Sequence, residues 1–197
     1  MAARVGVYGG TFDPPHIGHL VGASEAAHAC RLDRVIFVVA GRPWQKSATT
    51  VSPAEHRLAM TVLATEERSD FVVDRREIER PGPSYTVDTL AELKDSECAL
   101  VFIAGSDVVA DLDSWEQPER VRAMASFAIL RRPGTSTEAA RAALKGAEAT
   151  DVDMPLLDVS STGIRTRVAA GRPISFLVPV KVAEYIGANG LYAPYPV

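Results

Sequence analysis

The chain has 197 residues and 47% of them are hydrophobic, so one domain burying about 70% of its unfolded surface is the simplest expectation. Aromatics at 7% and charged residues at 23% leave Ala, Val, Leu and Ile as the bulk of the apolar content, as in α/β proteins; disorder, collagen and coiled coil are excluded. The net charge of −4, from 21 Lys+Arg against 25 Asp+Glu, argues against gripping a nucleic-acid backbone by overall charge, while a local basic pocket for a phosphorylated small molecule stays open.

In chain order, residues 5–8, 35–39, 71–73, 99–103 and 127–130 are short apolar runs that read as strands buried on both faces. They alternate with helical patterns in units of about 30 residues, the length of a strand, a helix and a crossover. The expected fold class is α/β, a Rossmann-like doubly wound parallel sheet of about five to six strands, in a single domain over residues 1–197 with short C-terminal helices.

Leu20, Ala23, Ala27 and Cys30 form the stripe of a first helix packed on the sheet. A second helix is expected to start at Ser52-Pro53, with Ser52 as N-cap and Pro53 at the first helical position, carrying Leu58, Val62 and Leu63 inward. Pro81-Gly82-Pro83 breaks the chain before a short helix over 84–94. Residues 138–149, rich in Ala, Glu, Lys and Arg, read as an exposed helix, and two short helices fit 162–169 and 179–188.

Cys30 and Cys98 form neither a C-x-x-C pair nor a disulfide framework, and neither suits a metal, which fits a reducing interior. No apolar run approaches the roughly 18 residues of a membrane span, and Met1-Ala2-Ala3-Arg4 leads into a strand-like stretch without the apolar segment of a signal peptide. The expectation is a cytoplasmic protein with no membrane and no nucleic-acid partner; a homo-oligomer is left open.

Chemistry concentrates in Gly9-Gly10-Thr11-Phe12-Asp13-Pro14-Pro15-His16-Ile17-Gly18-His19, between the first strand and the first helix, the corner of an open parallel sheet where ligands bind. Gly9 and Gly10 can adopt backbone angles closed to other residues and let a ligand approach the main chain, and the following helix offers free N–H groups to an anion. If that helix begins near Pro15, His16 and His19 share a face of its first turn, with Gly18 leaving that face clear. The glycine pair can also be only a tight turn, and the histidines metal ligands, although no third His or Cys completes a site. As a whole, Gly10-Thr11-Phe12-Asp13 followed by His16-x-Gly18-His19 resembles the signature of the nucleotidyltransferase superfamily.

That superfamily includes class I aminoacyl-tRNA synthetases, pantetheine-phosphate adenylyltransferases and cytidylyltransferases, so the first motif speaks to chemistry more than to substrate. Ser160-Ser161-Thr162-Gly163-Ile164-Arg165 resembles the late motif of bacterial nicotinate mononucleotide adenylyltransferases, where it opens a helix on the triphosphate. Ser and Thr suit an N-cap, and the helix dipole and Arg165 both favour phosphate there; plain capping is the other reading. Pro83-Ser84-Tyr85-Thr86-Val87-Asp88-Thr89-Leu90 resembles that family's nicotinate-recognition helix, and Gly105-Ser106-Asp107 followed by Trp115 its nucleotide and pyridine pocket. Gly171-Arg172-Pro173-Ile174-Ser175-Phe176-Leu177-Val178-Pro179 and Leu191-Tyr192 resemble its closing segment. Many relatives carry a Pro-Pro-His-Lys loop after the second strand, where this chain reads Gly41-Arg42-Pro43-Trp44-Gln45-Lys46. Neither a P-loop nor a G-x-G-x-x-G fingerprint after the first strand is present.

The resemblance implies adenylyl transfer from ATP to nicotinate mononucleotide, giving nicotinate adenine dinucleotide and pyrophosphate in NAD biosynthesis. Catalytic roles fall on His16, His19, Arg165 and Lys46. ATP binding adds Gly9, Gly10, Thr11, Phe12, Gly18, Gly105, Asp107, Ser161 and Thr162; the acceptor set is Asp13, Lys46, Tyr85, Thr86, Trp115 and Arg132. Mg²⁺ is expected to be carried mainly by ATP, with no metal site of the protein's own. The acceptor phosphate is already ionised at neutral pH, so neither a strong base nor a covalent intermediate is needed.

Free N–H groups near Tyr85 and Thr86 would favour the carboxylate of nicotinate over an amide, with no carboxylate side chain pointing at the acid. Trp115 is read as stacked on the pyridine ring or as a core tryptophan, Asp107 as a ribose or metal-shell contact or a solvated loop residue, and Arg131 and Arg132 as phosphate contacts or a strand end. His28 and His56 are read as structural. Two alternatives remain: a nucleotide-binding sensor without turnover, and an enzyme with another acceptor such as nicotinamide mononucleotide or phosphopantetheine.

Overall fold

Strands form where the chain runs apolar and β-branched. In the computed structural model, which describes residues 3–43, 51–94, 98–131 and 135–193, β1 (Ala3–Gly10), β2 (Arg34–Val39), β3 (Phe71–Asp74), β4 (Cys98–Gly105), β5 (Ser126–Arg131) and β6 (Ala149–Asp153) pair into one sheet. The order is β3-β2-β1-β4-β5-β6 and every neighbouring pair is parallel. The chain winds one way from β1 to β3 and the other way from β4 to β6, so the order reverses between β1 and β4 and a crevice opens at their carboxyl ends.

The five expected runs are all strands. Their side chains alternate between two cores: Val5, Val7, Ile36, Val38, Leu100, Phe102, Phe127 and Ile129 enter one cluster, while Tyr8, Val35, Phe37, Val39, Val101, Ile103, Ala128 and Leu130 enter the other. Period-two alternation into two buried faces is why the runs in β1, β2, β4 and β5 are apolar; the run in β3 departs from the expectation, because β3 is an edge strand with Phe71 buried and Val72 44% exposed. The sixth strand, β6, escaped the sequence pattern because it is an edge strand in which only Val152 is buried.

The helices cover both faces. On the second cluster lies α1 (Ile17–Ala29), through Ala23 and Ala26 with Leu20 and Ala27 beside them. The first cluster is covered by α4 (Thr86–Leu93), α5 (Ser106–Ala110), α6 (Pro118–Met124) and α7 (Glu138–Leu144). Two corrections concern α7. It ends at Leu144, where Lys145 takes φ +50 and Gly146 φ +91, rather than running to 149; and Ala140, Ala143 and Leu144 are buried, so it is not an exposed helix. A short α3 (Arg76–Glu79) precedes α4.

The second helix, α2 (Ala54–Thr65), has Pro53 rather than Ser52 at its N-cap. Its inward face is Arg57, Met60, Thr61, Ala64 and Thr65, whereas Val62, expected inside, is 47% exposed. That face won because Arg57 finds buried partners, described below, while Met60 and Ala64 join Ile164, Val182 and Ile186 of α8 (Ser161–Ala169) and α9 (Val180–Ala188) in a third core cluster. The C-terminal helices are thereby packed on α2, next to the crevice. No helix among the described residues is long and apolar enough to cross a membrane.

Candidate active site

At the carboxyl end of β1, Gly9 and Gly10 are still strand. The expected left-handed turn residue is not a glycine but Phe12, at φ +49. Its ring folds back so closely that a Cβ on Gly10 would sit 2.7 Å from it. Gly10 is therefore needed for space rather than for its own angles. Phe12 is 2% exposed and packs against Tyr8, Phe37 and the edge of His19, the last at 5.1 Å between centroids.

Helix α1 starts at Ile17, so His16 is its N-cap rather than a first-turn residue. The pair still meets. The His16 backbone N–H donates to His19 Nδ1 at 3.1 Å, and the two imidazoles stack with centroids 3.7 Å apart and planes 30° apart. With Nδ1 of His19 accepting, a neutral imidazole carries its ring proton on Nε2.

The loop between β1 and α1 is anchored from far along the chain. Ser161 Oγ donates to the Pro14 carbonyl at 2.8 Å, Arg165 Nη1 to the Asp13 carbonyl at 2.7 Å, and the Ile17 N–H to the Leu177 carbonyl at 3.0 Å. Arg165 Nη2 also donates to Thr162 Oγ1 at 3.2 Å. Ser160 caps α8, its Oγ accepting from the Gly163 N–H at 3.1 Å.

A cavity of about 540 Å³ occupies the crevice. Among the sequence-derived candidates, Gly9, Gly10, Thr11, His16, Gly18, His19, Thr86, Gly105, Asp107 and Trp115 line it. Phe12, Asp13, Tyr85, Ser161, Thr162 and Arg165 lie outside its wall, where Phe12 and Asp13 are buried and Ser161 and Arg165 hold the histidine loop. Trp44, Lys46 and Arg132 fall outside the described residues. Arg131 pairs with Asp153 across the last two strands.

Trp115 answers to both of its readings. It is 9% exposed within the first core cluster, edge-on to Phe102 at 5.6 Å, and it also forms part of the cavity wall. Asp107, exposed on α5, folds back until its Oδ1 would lie 2.6 Å from a Cβ on Gly105. Thr86 opens α4 after the N-cap Tyr85, and the first N–H groups of the helix have no carbonyl a turn earlier to pair with.

Of the buried charged residues that were not foreseen, Arg57, Glu77 and Arg122, the first two lie beside the histidine loop and the cavity. Arg57, 1% exposed, donates to four carbonyls: Ser52 at 2.9 Å, Thr11 at 2.9 Å, Ala40 at 2.5 Å and Gly41 at 3.2 Å. Burial pushes its guanidinium down from the usual range, and nearby Asp13 and Tyr192 pull it back up. Its spacing to Met60, Thr61 and Ala64 was the available signal of an inward position. Glu77, 8% exposed, lines the same cavity as Thr86, and its Oε1 accepts from Thr89 Oγ1 at 2.5 Å. Burial raises the Glu77 carboxyl above its ordinary value, and hydrogen bonds from Thr89 and Ser84 offset part of that. His28 lies on α1, and His56 Nδ1 shares a 2.9 Å hydrogen bond with the Tyr185 hydroxyl, away from the cavity wall. Among the described residues no three of His, Cys, Asp and Glu gather as a metal site.

A stacked histidine pair at the order reversal of a parallel sheet, beside a helix N-terminus and an aromatic wall, suits a ligand carrying both phosphates and a flat ring. Residues 7–167 match the cytidylyltransferase-like family. A Corynebacterium kroppenstedtii protein named "Probable nicotinate-nucleotide adenylyltransferase" is 47% identical over 193 residues, covering 97% of this chain and 92% of its own. The Streptomyces coelicolor protein of the same name is also 47% identical, over 93% of this chain and 98% of its own. In fold, the chain is similar to Plasmodium falciparum nicotinic acid mononucleotide adenylyltransferase complexed with NaAD, with a TM-score of 0.80 at 19% identity over 96% of this chain and 97% of that one. Relatives at this identity over nearly the whole length carry the conclusion: the chain belongs to the cytidylyltransferase-like nucleotidyltransferases and, within them, to the nicotinate-nucleotide adenylyltransferases.

Proposed function

We propose that ATP and nicotinate mononucleotide meet in the crevice cavity, with the phosphates over the histidine pair and the pyridine ring between Thr86 and Trp115. The chain is an adenylyltransferase that moves the adenylyl group of ATP to nicotinate mononucleotide and releases pyrophosphate, a step in NAD biosynthesis. The observation that carries the assignment of the reacting centre is the stacked pair His16 and His19 on the cavity wall at the end of β1.

An oxygen of the acceptor phosphate attacks the α-phosphorus of ATP, and the bond to the bridging oxygen breaks as pyrophosphate leaves. The attacking oxygen carries its charge already, so the protein's work is alignment and stabilisation of the charge on the leaving group. His19 donates from Nε2 and His16 stands beside it, with Thr11 on the same wall. Ser160 and the start of α8 bring positive helix dipole to the phosphates, and Arg165 adds fixed charge next to Thr162. Mg²⁺, arriving on the ATP phosphates, would supply further positive charge to the leaving group, and Asp107 is the exposed carboxylate of the cavity wall available to its shell.

At the other end, Thr86 presents an unpaired helix N–H that suits a carboxylate, whereas an amide would leave a donor facing donors. The reading puts the chain in the cytoplasm, where ATP is, and gives it small molecules rather than nucleic acid as partners, in keeping with its charge of −4. Pyrophosphate release from ATP, measured over nicotinate mononucleotide, nicotinamide mononucleotide and phosphopantetheine, tests it. The acid mononucleotide should be preferred over its amide by about 10 to 10³ in kcat/KM. Absence of release with every acceptor would point to a nucleotide-binding sensor without turnover, and release with phosphopantetheine alone would replace the substrate.

A further inference from the structure

Arg57 and Glu77 are the two ends of one buried polar chain. Arg57 donates to the carbonyls of Ala40 and Gly41, and the N–H groups of those same two peptides, at Gly41 and Arg42, both donate to Ser84 Oγ, at 3.0 and 3.1 Å. The Ser84 hydroxyl lies beside the Glu77 carboxyl and helps to offset the cost of its burial, and Thr89 donates to that carboxyl from α4 at 2.5 Å. Each peptide thus has its carbonyl on a cation and its N–H on a hydroxyl beside a carboxyl, an arrangement in which neighbouring hydrogen bonds polarise one another. Arg80 closes the far end, donating to Thr89 Oγ1 at 3.3 Å.

The packing leaves no slack. A Cβ on Gly41 would lie 2.0 Å from the Glu77 carbonyl oxygen, so the loop after β2 is pressed directly on α3. The Ser84 N–H also donates to the Arg42 carbonyl at 3.1 Å. Glu77 therefore holds α4 at Thr89, one turn in, and Ser84 ties the residues just before its start to the loop after β2, while Ala40, Glu77, Ser84 and Thr86 all line the cavity.

We infer that Glu77 is a positioning residue for the acceptor: by accepting from Thr89 beside Ser84, with its own carbonyl pressed on Gly41, it fixes the start of α4, and with it the Thr86 N–H, against the loop after β2. The inference rests on the reading that this helix start receives the nicotinate group. Glu77 acts through Ser84 and Thr89 rather than by touching the ligand, so removing either Glu77 or Ser84 loosens the same element.

The test is steady-state kinetics of the purified full chain carrying Glu77→Gln or Ser84→Ala, with each substrate varied at saturation of the other and thermal unfolding as the control for folding. Both substitutions should raise KM for nicotinate mononucleotide about tenfold and leave KM for ATP within about twofold. The preference for the acid over the amide mononucleotide should fall by a similar factor. If Glu77→Gln does not fold, Ser84→Ala carries the test. Acceptor KM untouched in the folded variants, or equal rises for both substrates, overturns the inference. A rise for Glu77→Gln with a normal Ser84→Ala overturns it too, by making Glu77 a direct contact. An unmodified chain inert toward nicotinate mononucleotide would overturn the reading of the reaction and this inference together, whereas the preceding outcomes leave that reading intact.

Discussion

Asp13 and Tyr192 lie 179 positions apart and are joined by a 2.6 Å hydrogen bond, the tyrosine hydroxyl donating to Oδ1. The other carboxylate oxygen accepts from the Ser52 N–H at 3.1 Å, and Asp13 is 3% exposed. Burial and the adjacent carboxylate push the Tyr192 phenol far above its usual range, so the hydroxyl keeps its proton and remains a donor. With Arg165 on the Asp13 carbonyl and Ser161 on that of Pro14, the C-terminal segment holds the histidine loop in place.

Tyr192→Phe removes that donor and leaves Asp13 Oδ1 buried with no partner from the tyrosine. Stability should drop by about 1–3 kcal/mol, the cost of an unsatisfied buried acceptor, and kcat should fall as the histidine loop loosens. Urea unfolding read beside turnover checks both; an unchanged unfolding midpoint would show that the bond contributes nothing to the fold.

His16→Ala and His19→Ala should each lower kcat by about 10² or more with folding nearly unchanged, since each histidine supplies a contact of a few kcal/mol to the charge that develops during transfer. Normal turnover in purified, folded variants would move the reacting centre away from the stacked pair.

Stability should carry a signature of Glu77. Its carboxyl is raised above the ordinary 4.5 by burial, against the pull of Thr89, Ser84 and Arg80 and with a small push from Asp74. A carboxyl raised in the fold contributes stability that is fully present below its unfolded value and is lost as pH rises through its folded one. Glu77→Gln does not ionise, so its melting temperature relative to the unmodified chain should improve over the range in which pH rises above 4.5. A constant difference across that range would mean that Glu77 does not titrate in this way.

Because Trp115 is both core and cavity wall, Trp115→Ala should cost about 3–5 kcal/mol of stability through the void it leaves. Alanine therefore cannot separate the two roles. Trp115→Phe keeps an aromatic face beside Phe102 and should retain most of the stability while raising KM for the acceptor and not for ATP. Parallel rises in both constants, measured with ATP and nicotinate mononucleotide varied in turn, would make Trp115 a structural residue alone.

The layered architecture was legible in the sequence because the central strands are buried on both faces, so residues 35–39, 100–103 and 127–130 must be apolar whatever lies around them. The histidine loop was legible because its residues are contiguous and sit where a strand ends and a helix begins. Tertiary structure decided the rest, and the pattern in what was missed is physical. Edge strand β6 is polar because one side of it faces solvent, and α2 turns Arg57 inward because the partners of that cation come from residues 11, 40, 41 and 52. Glu77, Ser84 and Gly41 converge from three separate stretches, with 43 positions between Gly41 and Ser84. Apolar periodicity is a local property that a chain displays along its length, whereas a buried charge is tolerable only where the fold delivers its partners, and those partners are chosen by the folded chain rather than by neighbours in sequence.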